Sequence, residues 1–437
     1  MEQTYFHSVT LDKEKCMGCI NCIKRCPTEA IRVRNGKARI IKERCIDCGE
    51  CIRVCPYHAK KAVTDPFDKI YDYKYRIALP APSLYGQFNQ LDDINIVLSG
   101  LKRIGFDSVY EVARAAEIVT IASKDLMYQK KLHYPVISSA CPAVVRLIRV
   151  RFPSLIKNLL PLLSPMDVAA KLAKKEAQEK TGLPLHQIGA FFITPCAAKV
   201  TVTKDPIGQE KSFVDGAISM SDIYMKLVPV MNKLEVTENL VRSGLKGVGW
   251  ANSGGEAYAL GKDEYIAVDG IDNVIKVLEA LEDEQLPNIK FVEAGACIGG
   301  CVGGPLAVEN GFVAETKIKL LTKRLTSYEM EKEFPCIGID DVSFSKKIEY
   351  LPVMKLDNDI IEAMKKMDRL ETIYDSLPKI DCGSCGAPSC RALAEDVVRG
   401  FGKEMDCVHK LRERVFNLAK EMVDIQENIS AFDKKEK

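Results

Sequence analysis

The sequence predicts an α/β protein with several parts: a large domain with parallel or mixed sheets, an N-terminal cysteine-rich module, a small C-terminal cysteine-rich domain and a terminal helix. Short apolar runs alternate with helical segments through the middle of the chain. Cysteines with metal-ligand spacings lie at both ends, and an uninterrupted apolar repeat of helical period closes the chain. These observations place the predicted domains at 1–63, 64–350, 351–407 and 408–437.

The N-terminal module contains the same cysteine pattern twice. Three cysteines are separated by two residues each, and a fourth follows after three more, directly before a proline. This is the bacterial two-cluster ferredoxin spacing, in which the fourth cysteine of each run ligates the other run's cluster. We therefore expect one 4Fe–4S cluster on Cys16, Cys19, Cys22 and Cys55, and a second on Cys45, Cys48, Cys51 and Cys26.

A third cysteine set lies near the C-terminus, at Cys382, Cys385, Cys390 and Cys407. The segment from Asp381 to Cys390 resembles the small 4Fe–4S domain of corrinoid iron–sulfur proteins. Four thiolates also suit tetrahedral zinc, which remains the alternative. The long third gap is unusual for a zinc ribbon, so the sequence favours a cluster.

The large domain has three cysteine-containing loops, and each follows a short apolar run. The runs and their cysteines are Tyr134–Ile137 before Cys141, Ile188–Ile193 before Cys196, and Ile289–Val292 before Cys297. Strands of a doubly wound sheet deliver ligands at their carboxyl ends, so we expect these loops to converge. Helices are predicted from Pro142, whose ring suits a first helical position, and over 167–175 and 273–281.

The cysteines of these loops stand in distinctive local sequences. Cys297 and Cys301 form a glycine-rich Cys-x-x-x-Cys, which alone could be a redox pair or half of a zinc site. Cys141 lies in Ser-Ala-Cys-Pro and Cys196 in Pro-Cys-x-x-Lys. In this order the three segments resemble the active-site signatures of FeFe-hydrogenases. The segments 81–83, 101–107, 164–165 and 253–255 also resemble parts of that family.

The resemblance implies an H-cluster, a 4Fe–4S cube joined through one thiolate to a two-iron centre with CO, CN and azadithiolate ligands. Cys141, Cys196 and Cys297 would hold the cube, and Cys301 would bridge to the two irons. Lys199 and Ser83 would donate hydrogen bonds to a cyanide ligand. The loops of Pro82 and Pro195 would wall the pocket. With the three other 4Fe–4S clusters, these assignments use 16 of the 17 cysteines and leave Cys336 without a role.

The chain departs from the family pattern at several positions. Ala140 replaces the cysteine that passes protons in prototypical members, and alanine has no titratable proton. Thr194 and Gly295 replace methionines beside the two-iron site, and the relay acids and serine of the family are absent near 122–123 and 160. This combination resembles the sensory branch of FeFe-hydrogenases.

These features predict a ferredoxin-type FeFe-hydrogenase that reacts reversibly with dihydrogen and protons, at low activity and in a hydrogen-sensing or regulatory role. One alternative is a metabolic hydrogenase coupled to ferredoxin, with another proton path in place of Ala140. The other is a non-catalytic iron–sulfur assembly or electron-transfer protein. The expected partners are a ferredoxin-like or other redox protein and the hydrogenase maturases.

Composition sets further bounds. The net charge of +2 argues against nucleic-acid binding, and no apolar run could span a bilayer, so we expect a cytoplasmic protein. The first 61 residues contain 13 Lys/Arg and 7 Asp/Glu. This excess of positive charge either compensates the negative charge of the clusters or forms a docking face for an acidic electron carrier.

The terminal helix carries a heptad repeat that predicts a coiled coil with a second copy or a signalling partner, or a helix docked on its own domain. Its apolar positions are Leu411, Val415, Leu418, Met422, Ile425, Ile429 and Phe432.

Overall fold

The computed structural model describes residues 6–129, 132–261, 263–325 and 337–433, which form two compact units. The first unit, called here the large unit, comprises the chain up to Thr10, Cys45–Arg53 and Lys60–Leu351. The second, the small unit, comprises Leu11–Arg44, Val54–Ala59 and the chain from Pro352. The N-terminal module predicted at 1–63 is therefore divided between the two units.

The strands and helices are numbered in chain order. The strands are β1 Val9–Leu11, β2 Ile31–Arg34, β3 Lys37–Ile40, β4 Lys60–Ala62, β5 Tyr75–Pro80, β6 Ser108–Val109, β7 Val136–Ile137, β8 Ile188–Thr194, β9 Gly216–Ser219, β10 Tyr265–Asp269 and β11 Phe291–Gly295. The helices are α1 Asn21–Lys24, α2 Glu50–Arg53, α3 Ile94–Arg103, α4 Val112–Tyr128, α5 Pro142–Arg151, α6 Pro165–Thr181, α7 Ala197–Lys204, α8 Met220–Met231, α9 Leu245–Gly249, α10 Gly255–Leu260, α11 Ile271–Glu282, α12 Gly311–Thr322, α13 Ile339–Val342, α14 Ile360–Asp375, α15 Cys390–Val398 and α16 Val408–Asp433.

The large unit contains two parallel sheets. One has the strand order β6-β5-β8-β9 and the other β10-β11-β7, and every neighbouring pair in both is parallel. The α/β class with parallel sheets is thus confirmed, and the strands that precede the three cysteine loops are divided between these two sheets. All residues of β8 are buried, as expected for a parallel strand covered on both faces.

The predicted helices are present and extend further than the sequence pattern indicated. Helices α5 and α6 both begin at a proline, Pro142 and Pro165, whose fixed φ and missing N–H suit the first helical position. The segment 167–175 forms the middle of α6, which ends at Gly182 in a left-handed conformation with φ 71°. The segment 273–281 lies within α11.

The small unit contains the antiparallel hairpin of β2 and β3, which turns at Asn35 and Gly36 with φ of 52° and 70°. A separate apolar core there includes Leu370 of α14 and Leu393 of α15. No helix in the described ranges is both long enough and apolar enough to cross a membrane.

Helix α16 leaves the five described apolar heptad side chains, from Leu411 to Ile425, exposed. The chain does not cover this face among the described residues, so the coiled coil stays a prediction. The side chains of Ile429 and Phe432, and all of Cys336, lie outside the described part of the structure.

Candidate functional site

One cavity of the large unit brings together most of the residues singled out from the sequence. It contains about 970 Å³ of empty space. The sequence-predicted residues that line it are Cys141, Cys196, Cys297, Cys301, Lys199, Ala140, Pro82, Ser83, Pro195 and Gly295. Loops that are far apart in the sequence thus place four sulfur atoms around a single space.

The strands explain why three of these cysteines converge. Cys141 follows β7, Cys196 follows β8 and Cys297 follows β11, so each lies at the carboxyl end of a parallel strand. Cys141 and Cys196 also stand directly before the first residues of α5 and α7. The positive ends of these helix dipoles stabilise negative charge on sulfur.

Glycine allows the loop of Cys297 and Cys301 to pack against its neighbours. Gly300 has a φ of 86°, and a Cβ added there would lie 2.6 Å from the backbone nitrogen of Ser253. A Cβ at Gly304 would lie 2.3 Å from the carbonyl oxygen of Pro195. Both approaches exclude a side chain, so Gly300 allows the loop of Cys301 to pack on the chain at Ser253, and Gly304 allows it to pack on the loop of Cys196.

Burial dominates the electrostatics of the sulfur atoms. It raises the pKa of the Cys141 and Cys196 thiols, and it raises that of Cys297 to about 11, although the Arg53 guanidinium opposes the last shift. Free thiols here would therefore be neutral at physiological pH. A coordinating metal deprotonates a thiol outright, so this cluster of buried sulfurs suits a metal centre better than a thiolate nucleophile.

Lys199 and Ser83 supply the polar part of the cavity. Burial lowers the pKa of Lys199, but the negative charges that the sulfurs of Cys301, Cys196 and Cys141 carry as thiolates raise it by more, so the ammonium stays charged beside metal-bound sulfurs. The Ser83 hydroxyl is buried and has no hydrogen-bond partner among the residues that the structure describes. A buried cation and an unpaired hydroxyl fit a metal centre that carries small anionic ligands.

Thr194 and Gly295 have different positions. The Thr194 hydroxyl accepts a hydrogen bond from the Cys196 amide at 3.0 Å and donates to the Cys196 carbonyl at 3.3 Å, so it fixes the turn and does not line the cavity. Gly295 does line the cavity, and the nearest atom to a Cβ added there would be 3.9 Å away. The cavity is thus open at this position.

The polar residues of the cavity that were missed from the sequence include Ser138, Glu256 and Glu293. The Ser138 hydroxyl donates to Glu256 Oε2 at 2.6 Å and accepts from the Ala140 amide at 3.2 Å. The Glu293 carboxylate accepts from the amides of Gly254 and Ala257, each at 2.8 Å. The Ser138 hydroxyl and, through it, the Glu256 carboxyl therefore lie beside Ala140, and Glu293 lines the same cavity.

These two carboxyls retain protons unusually well. Burial is the largest cause that raises the pKa of Glu256, and the neighbouring charge of Glu293 adds to it. Burial also raises the pKa of Glu293, with a further contribution from Asp269 at the end of β10. The pair therefore holds a proton near neutral pH. The only sequence signal was position, since Glu256 follows Ser253-Gly-Gly255 and Glu293 precedes Cys297 by four residues.

The loop of Cys45, Cys48 and Cys51 belongs to the same unit as the cavity. Cys48 packs against an apolar cluster that Cys141 and Cys196 also contact. A Cβ added at Gly49 would lie 2.5 Å from the Pro305 side chain, so this loop touches the chain just beyond Cys301. A cluster on this loop would thus lie beside the cavity. Its predicted fourth ligand, Cys26, belongs to the small unit.

Arg53 at the end of α2 connects this loop to the cavity. Its guanidinium donates to the Gly303 carbonyl at 2.7 Å and to Glu50 at 2.9 Å, and its positive charge opposes the rise in the pKa of the Cys297 thiol. A positive charge near a ligand sulfur stabilises the more negative, reduced cluster and raises its potential. Arg53 therefore lies between the two predicted clusters and links the loop of Cys51 to the loop of Cys301.

We expect Arg53→Gln to lower the midpoint potential of a cluster bound through Cys297 by about 50–100 mV, because a positive charge near the cluster is lost. Redox titration followed by electron paramagnetic resonance measures this potential. Arg53→Lys should give a smaller shift, and Arg151→Gln, a change in a surface ion pair, should give none. An unchanged potential in Arg53→Gln would show that the Arg53 charge does not tune the cluster.

The remaining predicted ligands lie in the small unit: Cys16, Cys19, Cys22, Cys55, Cys382, Cys385, Cys390 and Cys407. The sulfur of Cys16 accepts from the Ala38 amide at 3.4 Å, and that of Cys55 from the Ala59 amide at 3.3 Å. Cys390 and Cys407 are buried in the core of this unit, and Cys385 packs against it. All 16 cysteines that the structure describes are free of disulfides.

The sequence matches the family of the iron only hydrogenase large subunit, C-terminal domain, over 74–261 and 239–305, which is more than half of the chain. Residues 8–56 match a 4Fe-4S dicluster domain, and residues 377–409 match an Fe-S cluster family. The described strands that precede Cys141, Cys196 and Cys297 all lie within the first match.

Among curated proteins, the chain is similar to the periplasmic [Fe] hydrogenase large subunit of Nitratidesulfovibrio vulgaris, with 30% identity over 44% of this chain and 50% of that protein. It is also similar to iron hydrogenase 1 of Clostridium pasteurianum, with 24% identity over 44% of this chain and 38% of that one. The chain thus spans half or less of the length of these relatives. Among solved structures, a variant of the [FeFe]-hydrogenase HydA1 from Chlamydomonas reinhardtii shares the fold, with a TM-score of 0.50, 16% identity, and coverage of 66% of this chain and 97% of that one.

Proposed function

Since the chain belongs to the iron-only hydrogenase family, we propose that it is an FeFe-hydrogenase that reacts reversibly with dihydrogen at an H-cluster, at low turnover and in a hydrogen-sensing role. The observation that carries this proposal is the arrangement of Cys141, Cys196, Cys297 and Cys301 around one cavity with Lys199 and Ser83. When bound, the cluster would supply the two-electron chemistry that splits or forms dihydrogen.

In this proposal each of the four cysteines has a defined role as a cluster ligand. Cys141, Cys196 and Cys297 would hold the cube, and Cys301 would bridge it to the two-iron part. Lys199 would donate to an anionic ligand through its charged Nζ, and the unpaired Ser83 hydroxyl would donate to another. Trp250, Phe192 and the prolines of the cavity wall would exclude bulk water.

Protons would travel through the carboxyl pair. The Ser138 hydroxyl would exchange a proton with the cavity next to Ala140 and pass it to Glu256, its hydrogen-bond partner at 2.6 Å. Glu293 and then Asp269, which is partly exposed at the end of β10, would continue this route towards the surface. Raised carboxyl pKa values suit this role, because an acid or base works best when its pKa is near the working pH.

Electrons would leave through the neighbouring loop. A 4Fe–4S cluster that includes Cys45, Cys48 and Cys51 would lie beside the Cys297 loop, with Arg53 between them. The clusters of the small unit would pass electrons on to a ferredoxin-like or other redox partner. The two-iron part would require the hydrogenase maturases.

A metabolic hydrogenase is the second candidate, and one observation favours it. Prototypical members use a cysteine at the position of Ala140, and the Ser138 hydroxyl accepts a hydrogen bond from the Ala140 amide and donates to Glu256. This pair would provide a proton path that does not need the cysteine. The rate of that path separates the two candidates.

We expect Ala140→Cys to raise dihydrogen turnover of the matured protein at least tenfold, because a thiol beside the two-iron site would shorten the proton path. Gas chromatography of the dihydrogen formed from protons, with reduced methyl viologen as the electron donor, measures the rate. Ala140→Ser, with a hydroxyl of higher pKa, should raise it less. High turnover of the unmodified protein, with no gain in Ala140→Cys, would contradict the sensing role and support the metabolic candidate.

A further inference from the structure

The small unit contains a second large cavity, which the proposed function does not use. It has about 1350 Å³ of empty space between the hairpin of β2 and β3 and the chain around α15. Six cationic side chains line it: Arg32, Arg34, Arg39, Lys42, Arg44 and Arg399. We call it the basic cavity.

Two carboxylates hold four of these guanidiniums in place. Asp396 Oδ2 accepts from Arg32 Nε at 2.7 Å and from Arg34 Nη2 at 2.8 Å. Glu395 accepts from both Arg44 and Arg399, the latter at 2.8 Å. Each carboxylate is therefore shared, so the guanidiniums are fixed in position while their charge is only half compensated.

The cavity retains an excess of positive charge. Glu43 is the remaining acidic side chain of the lining, so Asp396, Glu395 and Glu43 leave the six cations with an excess of three. Arg32 is 5% exposed, and its Nη2 has no hydrogen-bond partner within the described ranges. Buried positive charge that is only partly compensated is costly, and an anion in the cavity would reduce that cost.

We propose that the basic cavity binds a small molecule with phosphate-type oxyanions, at one site per chain. Arginine forks recognise phosphate oxygens in bidentate geometry, and here they are pre-positioned by Asp396 and Glu395. The concave shape and the burial of Arg32 and Arg44 favour a small anion over the acidic surface of a protein. Exposed Arg39 and Lys42 would complete the site at its mouth.

The bound anion would also lie near a predicted cluster ligand. Arg34 Nη1 donates to the Cys385 carbonyl at 2.7 Å, and the Val33 amide donates to the Gly386 carbonyl at 2.8 Å. The hairpin that forms the cavity thus contacts the loop of the C-terminal cysteine set. Occupancy of the cavity would therefore stabilise the small unit around that loop.

The test is isothermal titration of the full-length protein with inorganic pyrophosphate, and then with inorganic phosphate. We expect saturable binding of pyrophosphate at one site per chain, with weaker binding of phosphate, and an increase in the melting temperature of the protein. The double variant Arg39→Gln/Lys42→Gln should bind pyrophosphate at least tenfold more weakly, because two exposed cations at the mouth are lost. Neither residue is paired with a carboxylate in the described structure, so this variant should fold normally.

The control variant is Lys13→Gln/Lys15→Gln, which removes the same charge from exposed positions of the same unit. Its affinity should stay within about twofold of the unmodified protein. Absence of saturable pyrophosphate binding, or an equal loss in both double variants, would overturn the proposal. The proposal would also be overturned if an acidic electron carrier bound with an affinity that depends on Arg39 and Lys42, and pyrophosphate did not compete with that binding. None of these results depends on hydrogenase activity.

Discussion

Replacing Cys301 by serine should abolish dihydrogen turnover and remove the infrared bands of iron-bound carbon monoxide and cyanide from the matured protein. Cys301 is the proposed bridge between the cube and the two-iron part, and a serine oxygen is a poor substitute for a bridging thiolate. Turnover should fall by at least about 10³-fold, the scale of loss when a group that acts in the transition state is removed. Infrared spectroscopy and a turnover assay on the same sample check this.

Two controls make this result specific. Cys336→Ser carries the same chemical change at the cysteine to which the sequence assigns no ligand role, and it should leave bands and turnover unchanged. The paramagnetic signals of the other reduced clusters should persist in Cys301→Ser. Retained infrared bands in Cys301→Ser would mean that the two-iron part does not depend on this sulfur.

Replacing Glu256 by glutamine should reduce turnover by about 10²–10³-fold, because general acid–base groups contribute on this scale. The infrared bands should remain, since the amide keeps the shape of the carboxyl and can still bond to Ser138. Burial is the main cause that raises the pKa of Glu256 to about 8. The pH profile of the unmodified protein should therefore contain an apparent pKa near neutrality that is absent from Glu256→Gln.

The same substitution should alter the dependence of stability on pH. A carboxyl with a raised pKa in the folded state contributes stability below its ordinary pKa of 4.5, and this contribution is lost as the pH rises towards the folded pKa. The free energy of unfolding of Glu256→Gln should consequently fall less between pH 5 and pH 8, as chemical denaturation would measure. Glu264→Gln, at an exposed ion pair, serves as the control for stability.

The turnover measurement decides the proposed role of Glu256. Equal turnover of Glu256→Gln and the unmodified protein would exclude Glu256 from the proton path.

The convergence of the four cysteines was predictable from sequence because each motif follows an apolar run that forms a parallel strand. Cysteine and glycine in fixed spacing carry strong local information, as Cys297, Cys301 and Gly300 demonstrate. The sequence could not separate the two sheets, because β7 is only two residues long and its pairing with β11 depends on residues far along the chain. Likewise, nothing local indicates that residues 11–44 and 45–53 belong to different units.

The residues proposed to carry protons were hidden for a different reason. Glutamate and serine are common at protein surfaces, so Ser138, Glu256 and Glu293 carry no signal until the fold brings them together in one cavity. Their raised pKa values are a property of that burial and of their mutual proximity. The departure at Ala140 was visible from the sequence, but the Ser138 and Glu256 side chains beside it were visible only in the structure.

Infrared spectroscopy of the matured protein, first under inert gas and then under dihydrogen, tests most directly that this cavity holds a gas-responsive six-iron centre. We predict bands from iron-bound carbon monoxide and cyanide under inert gas, and shifts in their frequencies when dihydrogen is admitted. A matured sample that contains the iron–sulfur clusters but gives no such bands would contradict the account and favour an electron-transfer or assembly protein.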